Sequence, residues 1–165
     1  MSRFQLTGIS YPQFAPLFEL SDEQLSARGA MRYVATANFG FPCRVSLQDA
    51  AVGEELLLLP YEHQPAASPY RASGPIFVRR NAIEARLPAG AVPPYVTQRL
   101  MSLRAYDAKH LMIDATVCDG AAVAGELERL FANDDVAYVH LHNAKRGCFS
   151  CTAHRVTPDS PIEAD

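Results

Sequence analysis

The sequence predicts an α+β fold, a mainly antiparallel or mixed β-sheet with two or three short helices packed on it. Three observations carry that expectation. Segments with strand-like patterning outnumber helical ones, helix-end chemistry is confined to a few places, and the last two strand patterns are joined by Ala144-Lys145-Arg146-Gly147, a connection that suits a hairpin.

Taken in order, a strand is expected over 4–10. Ser21 then offers a helix cap, Gln24 completes a capping box, Leu20 and Leu25 form the flanking staple, and Gly29 ends the helix. Strands follow over 31–37, 54–61 and 75–79. A weaker helix begins at Pro93 or Pro94, since proline suits a first helical turn, and runs through Met101. Strands are expected again over 103–106 and 111–118. In the latter, Leu111, Ile113, Ala115 and Val117 alternate with Met112, Asp114, Thr116 and Cys118, the period of a strand with one buried face. Residues 120–132 read as a helix with Val123, Leu127, Leu130 and Phe131 on one stripe, Asp119 as cap and Asn133 beyond its end. Strands over 136–143 and 148–156 close the pattern. One domain is expected over 1–156, with an acidic tail over 157–165 that should fray.

At 165 residues and 18.1 kDa, the chain has the length of one ordinary domain, large enough to bury its own core without staples. Fifteen basic and eighteen acidic residues give a net charge of −3, which leaves no electrostatic footprint for nucleic acid. The longest strictly aliphatic run, Leu56 to Leu59, is far short of the roughly 20 residues that cross a bilayer. Polar residues stand near the start where an apolar export signal would lie, so a cytoplasmic location is expected. There Cys43, Cys118, Cys148 and Cys151 would remain thiols.

Glycine-rich phosphate loops, His-Glu-x-x-His and Gly-x-Ser-x-Gly do not occur in the sequence, so chemistry must be assembled from scattered residues. Two segments, 38–53 and 62–74, read as long irregular loops of the kind that often carry function. The first holds Cys43 beside Arg44, whose charge favours a thiolate; His63 in the second is the candidate base. The strand between them sets the two at opposite ends, so the pair requires one loop to fold back. Arg44 reads equally as a clamp on loop carbonyls. Arg71 and Ser73 offer an anion cradle or a plain turn. Arg104 is available to an anion or to an internal carboxylate, Asp107 or Asp114.

The terminal hairpin is densest in chemistry, with His140, His142, Asn143, Cys148, Cys151 and His154 close together. Strand period puts His140 and His142 on one face, with Val139 and Leu141 towards the core. Zinc on His140, His142, Cys148 and Cys151 is one reading, although the same period separates the two cysteines unless a bulge intervenes. A polar pocket without metal or cofactor is another, and histidines that simply lie on the outer face, solvated or covered by a loop, are a third.

The chain resembles a bacterial family known as domain of unknown function 1203. The resemblance rests on Phe41-Pro42-Cys43-Arg44, Gly53-Glu54, Pro69-Tyr70-Arg71-Ala72-Ser73-Gly74-Pro75-Ile76-Phe77-Val78 and His140-Leu141-His142-Asn143-Ala144-Lys145-Arg146-Gly147-Cys148-Phe149. It covers nearly the whole chain and implies no particular activity. The leading functional expectation is a polar pocket that binds or processes a small anionic molecule. Cys43 and His63 are its candidate catalytic residues, and Arg44, Arg71, Ser73, Arg104, His140, His142, Asn143 and Cys148 its candidate ligand-binding residues. The alternatives are a protein-interaction or homodimerisation module, burying apolar surface such as Tyr70 and Tyr95, and the zinc protein just described.

Overall fold

The computed structural model describes residues 2–156; the acidic tail over 157–165 lies outside them. Ten strands and three α-helices are found among the described residues. In chain order they are β1 (Phe4–Thr7), α1 (Asp22–Ala27), β2 (Met31–Val34), β3 (Pro42–Cys43), β4 (Gln48–Asp49), β5 (Glu55–Gln64), β6 (Ala72–Arg79), α2 (Pro94–Thr97), β7 (Leu100–Tyr106), β8 (Met112–Asp119), α3 (Val123–Phe131), β9 (Tyr138–Asn143) and β10 (Phe149–Arg155). The fold is α+β, with two five-stranded sheets. One, ordered β1-β10-β9-β7-β8, is antiparallel throughout; the other, β2-β5-β6-β3-β4, is mixed because β3 runs parallel to β6. No helix among the described residues is long and apolar enough to cross a membrane.

The capping box forms as expected: Gln24 N donates to Ser21 Oγ at 3.1 Å and Ser21 N donates to Gln24 Oε1 at 2.9 Å. The stripe Val123, Leu127, Leu130 and Phe131 is buried, and α3 lies on the face of the first sheet that carries Leu6, Met101, Leu103, Val139, Leu141 and Ala153. Asp119 makes no side-chain cap, because a single 3-10 turn precedes the helix. The helix at Pro94 stops at Thr97, and Met101 belongs to β7, where it enters the core. In β8 the face turned to α3 carries Asp114, Thr116 and Cys118, with Asp114 bonded to Arg129 of the helix. The aliphatic set points to solvent, with Ile113 41% and Val117 60% exposed.

A second core forms where Leu57 and Leu59 of β5, Ile76 and Val78 of β6 and Cys43 of β3 meet Phe14, Phe18, Leu25 and Phe149. Because Phe149 belongs to β10, this cluster joins the second sheet to the face of the first sheet opposite α3. Two further contacts fix that union. Arg99 Nη2 donates to Asp49 Oδ1 at 2.6 Å within a nearly buried pair. Gly8 crosses the chain at Val45 so closely that a Cβ there would stand 1.9 Å from the Val45 carbonyl oxygen, so glycine is required.

Candidate functional site

The face of the first sheet turned away from α3 is polar along β9 and its neighbours. Tyr138, His140 and His142 alternate along β9; Ser102 and Arg104 of β7 stand opposite His142 and His140, and Thr152 and His154 of β10 stand opposite His140 and Tyr138. Arg104 and both histidines therefore share one face, on adjoining strands.

Phe149 joins them through a bulge. It pairs with His142, yet Cys151 pairs with Leu141, so one extra residue lies between them in β10. Without it, residues two apart would share a face. With it, Phe149 faces the histidines while Cys151 enters the core beside α3. The bulge frees two carbonyls from the ladder, and each finds a buried donor. Arg44 Nε donates to the Phe149 carbonyl at 2.8 Å, and Tyr95 Oη donates to that of Ser150 at 3.2 Å. Arg44 Nη1 also donates to the Pro42 carbonyl at 2.6 Å, so this guanidinium is a clamp between the sheets.

The second sheet supplies the roof. Leu57, Leu59, Tyr61 and His63 follow one another at intervals of two along β5, which continues to Gln64 where a loop was expected. His63 thus arrives on a strand. Its ring centroid is 4.9 Å from that of His142, 6.1 Å from that of His140 and 5.4 Å from that of Phe149. Tyr138 anchors the rim, with its hydroxyl 2.9 Å from Gln64 Nε2 and 2.7 Å from His110 Nδ1. A cleft of about 520 Å³ opens beside this cluster, lined among others by His63, Gln64, Tyr138, His140, Thr152 and His154.

The chemistry of the cluster is set by burial. His140 and His142 are 6% and 1% exposed. Burial pushes the imidazole of His140 down to about 3 and that of His142 down to about 4, and the neighbouring imidazoles and Arg104 push in the same direction. His63 is lowered too, by burial and then by Arg104. All three rings are therefore neutral at pH 7. His63 Nδ1, His140 Nδ1 and His142 Nε2 are buried without a hydrogen-bond partner. Such atoms are uncommon in native structures, and three of them gather in this one cluster.

The expected site residues divide. His63, Arg104, His140 and His142 come together. Cys43 does not join them as a base-activated thiol: it is fully buried in β3, and its Sγ accepts a hydrogen bond from Arg79 N at 3.3 Å rather than from His63. Arg71 is exposed and paired with Glu62, and Ser73 lines a separate groove with Met31, Leu58 and Pro60. Asn143 falls on the Leu141 face of β9 and closes the hairpin through its backbone. Cys148 is half-buried in the hairpin, with Sγ 4.0 Å from the Arg146 carbonyl. The hairpin zinc set is split, since Cys151 lies on the core face while His140 and His142 lie on the other. Among the described residues no three His, Cys, Asp or Glu side chains are grouped to hold a metal ion. Sequence reasoning passed over Phe149, Tyr138 and Gln64. The signal for Tyr138 was its place two residues before His140, and for Gln64 its adjacency to His63.

Arg104 has neither expected carboxylate. Asp114 bonds Arg129, and Asp107 Oδ1 accepts from the backbone of Lys109 and Leu111. The guanidinium is left with Ser102 Oγ at 3.4 Å.

Comparison with curated proteins and with solved structures yields no match. The family described as protein of unknown function DUF1203 matches residues 40–155, a span that runs from β3 to β10 and holds Arg104, Phe149 and all three clustered histidines. The chain belongs to the DUF1203 family.

Proposed function

We propose that the histidine-bearing face of the first sheet, roofed by His63, binds a small anionic molecule. The observation that carries this reading concerns Arg104. Among the described residues, it is the one arginine withdrawn from solvent that is neither ion-paired nor spent on backbone carbonyls. A half-buried guanidinium that shares a sheet face with neutral imidazoles, with no carboxylate beside it, is a cation held ready for an anion. Neutral histidines supply adaptable donors and acceptors around it. The four cysteines are all unpaired, which supports placing this activity in a reducing compartment such as a bacterial cytoplasm.

The test is a titration of isotopically labelled protein with inorganic phosphate, sulfate, acetate and glycolate, following the side-chain resonances of Arg104, His63, His140 and His142. Saturable shifts confined to these groups are expected. Absence of saturation with all four anions rejects the reading.

A second reading, self-association, is favoured by one observation. β8 is an edge strand that exposes Ile113 and Val117. Packing of that stripe against its counterpart in a second copy of the chain would cover it. Sedimentation across a concentration series would show a dimer that Val117→Lys abolishes; a monomer at every concentration rejects it.

A further inference from the structure

The cleft of about 520 Å³ narrows the ligand class, and the step rests on the anion-binding reading above. His63 and His140 both line it, from opposite sheets, with ring centroids 6.1 Å apart and planes inclined by 69°. In each ring Nδ1 is the enclosed nitrogen, so the ring meets the cleft along the edge that carries Nε2. Neither Nδ1 has a partner, and orphaned buried N–H groups are rarer than orphaned acceptors, so the proton of each neutral ring sits on Nε2. The cleft is thereby offered two N–H donors, at a spacing from which bonds of about 2.9 Å reach the oxygens of a single oxyanion.

Among the described residues no Asp or Glu lines the cleft, so nothing on its wall opposes a negative head. Arg104 lies near enough to both imidazoles to lower their affinity for a proton, so its charge is felt there. Beside the imidazoles stand Pro65, Ala66, Ala137 and Tyr138. Tyr138 is a rigid wall: Gln64 and His110 hold its hydroxyl, and Tyr106 stacks on its ring with centroids 5.2 Å apart and planes inclined by 14°. A carboxylate or phosphate group alone would fill a small part of this volume, whereas clefts of roughly 300–1,000 Å³ take ligands with an organic frame.

We infer that the ligand is an organic oxyanion seated in this cleft, its charged head accepting from Nε2–H of His63 and of His140 and its apolar frame lying against Tyr138, Pro65 and Ala137. A carboxylic acid and a phosphate monoester, each with a ring or several carbons behind the head, both fit; acetate and inorganic phosphate occupy the head position and leave the wall bare. Covering about two methylene groups of the frame corresponds to a tenfold gain in affinity.

The experiment pairs anions that share a head and differ in the frame. Calorimetric titration of the intact protein at pH 7 compares benzoate with acetate and phenyl phosphate with inorganic phosphate, with benzamide as the uncharged relative of benzoate. Binding at least tenfold tighter for the framed member of a pair is expected, with benzamide no tighter than acetate, and the pair that responds separates a carboxylic acid from a phosphate monoester. Equal binding within both pairs, or benzamide matching the tightest anion, overturns this inference while leaving anion binding in place; no binding of any anion overturns the anion-binding reading itself. A ligand-free readout stands beside it. Nitrogen NMR of the histidine rings should show Nε2 of His63 and of His140 as the protonated nitrogen, moving when the framed anion is added. A proton on Nδ1 of either ring in the free protein overturns the inference whatever the titrations give. Ala66→Trp, at a half-buried position outside the strands, fills the cleft and should abolish the preference within each pair, with retention of the fold checked by the backbone spectrum. An undiminished preference in the folded variant overturns the inference as well.

Discussion

The imidazole of His63 lies parallel to the phenyl ring of Phe149, with centroids 5.4 Å apart and planes inclined by 7°. His63 belongs to one sheet and Phe149 to the other, so this stack is where the two sheets close over the histidine face. Phe149 occupies that position because Arg44 holds its carbonyl.

Replacement of Arg44 should therefore disturb stability first and the site second. Arg44→Gln removes the clamp on Phe149 and Pro42 and leaves two buried carbonyls without their donor, at a cost of about 2–4 kcal/mol. Arg44→Lys should recover little of it, since an ammonium cannot reproduce the fork that reaches both carbonyls. Urea unfolding of the two variants measures this; a lysine variant as stable as the parent would show that charge alone suffices.

Acid should loosen the fold through the histidines. In the unfolded chain an imidazole takes its proton near 6.5, whereas burial holds His140 at about 3 and His142 at about 4. The unfolded chain binds more protons between those values, so the contribution is complete above pH 6.5 and is lost progressively as the pH falls towards 4 and 3. By pH 5 the loss is on the order of 2 kcal/mol per ring. Urea midpoints from pH 8 to pH 4, for the parent and for His142→Gln, should converge as the pH falls. A difference between the two that stays constant with pH contradicts the assignment.

Arg104→Gln should weaken phosphate binding roughly tenfold to a hundredfold, the value of charge-assisted hydrogen bonds to an anion, while shifting Tm by no more than about 2 °C. Arg71→Gln, on an exposed arginine paired with Glu62, should leave binding unchanged. Calorimetry and thermal melts on both variants provide the comparison, and a loss of binding in the Arg71 variant would move the site to the wrong hairpin.

Thiol reactivity should follow burial. In the folded protein Cys148 and Cys118, both half-buried, should react with a disulfide reagent before Cys43 and Cys151, which are enclosed. Burial pushes the Cys151 thiol up to about 12, which further suppresses its thiolate. Cys43→Ala should cost about 1–2 kcal/mol of stability and leave anion binding intact. Loss of binding by a folded Cys43→Ala protein would restore the thiol to the site.

Features governed by near neighbours were legible in the sequence. Ser21 and Gln24 specify a helix start within four residues, the spacing of Val123, Leu127, Leu130 and Phe131 specifies a buried stripe, and the two-residue interval between His140 and His142 puts them on one face. Features governed by distant partners were not. The strand leading to His63 was expected to end at Tyr61, because Glu62, Gln64 and Pro65 look like a loop; its continuation is set by pairing with β6 across an irregularity. The alternation in β8 fixes two faces without saying which one meets α3; pairing with β7 sets Thr116 and Cys118 beside Leu103 and Met101 on the core face, where Cys118 packs. The bulge at Phe149 is invisible locally, since its stabilising donors, Arg44 and Tyr95, lie far away in the chain.

The turn after β9 does more than reverse the chain. Gly147, at a φ of 80° that suits glycine, presents the carbonyl that fixes the tautomer of His142. Grafting a standard two-residue reversal into that place would preserve the ladder of strands and erase the chemical identity of the imidazole. Shortening this connection therefore reaches beyond the turn itself, because it frees the proton position of an enclosed ring that the longer turn holds in place.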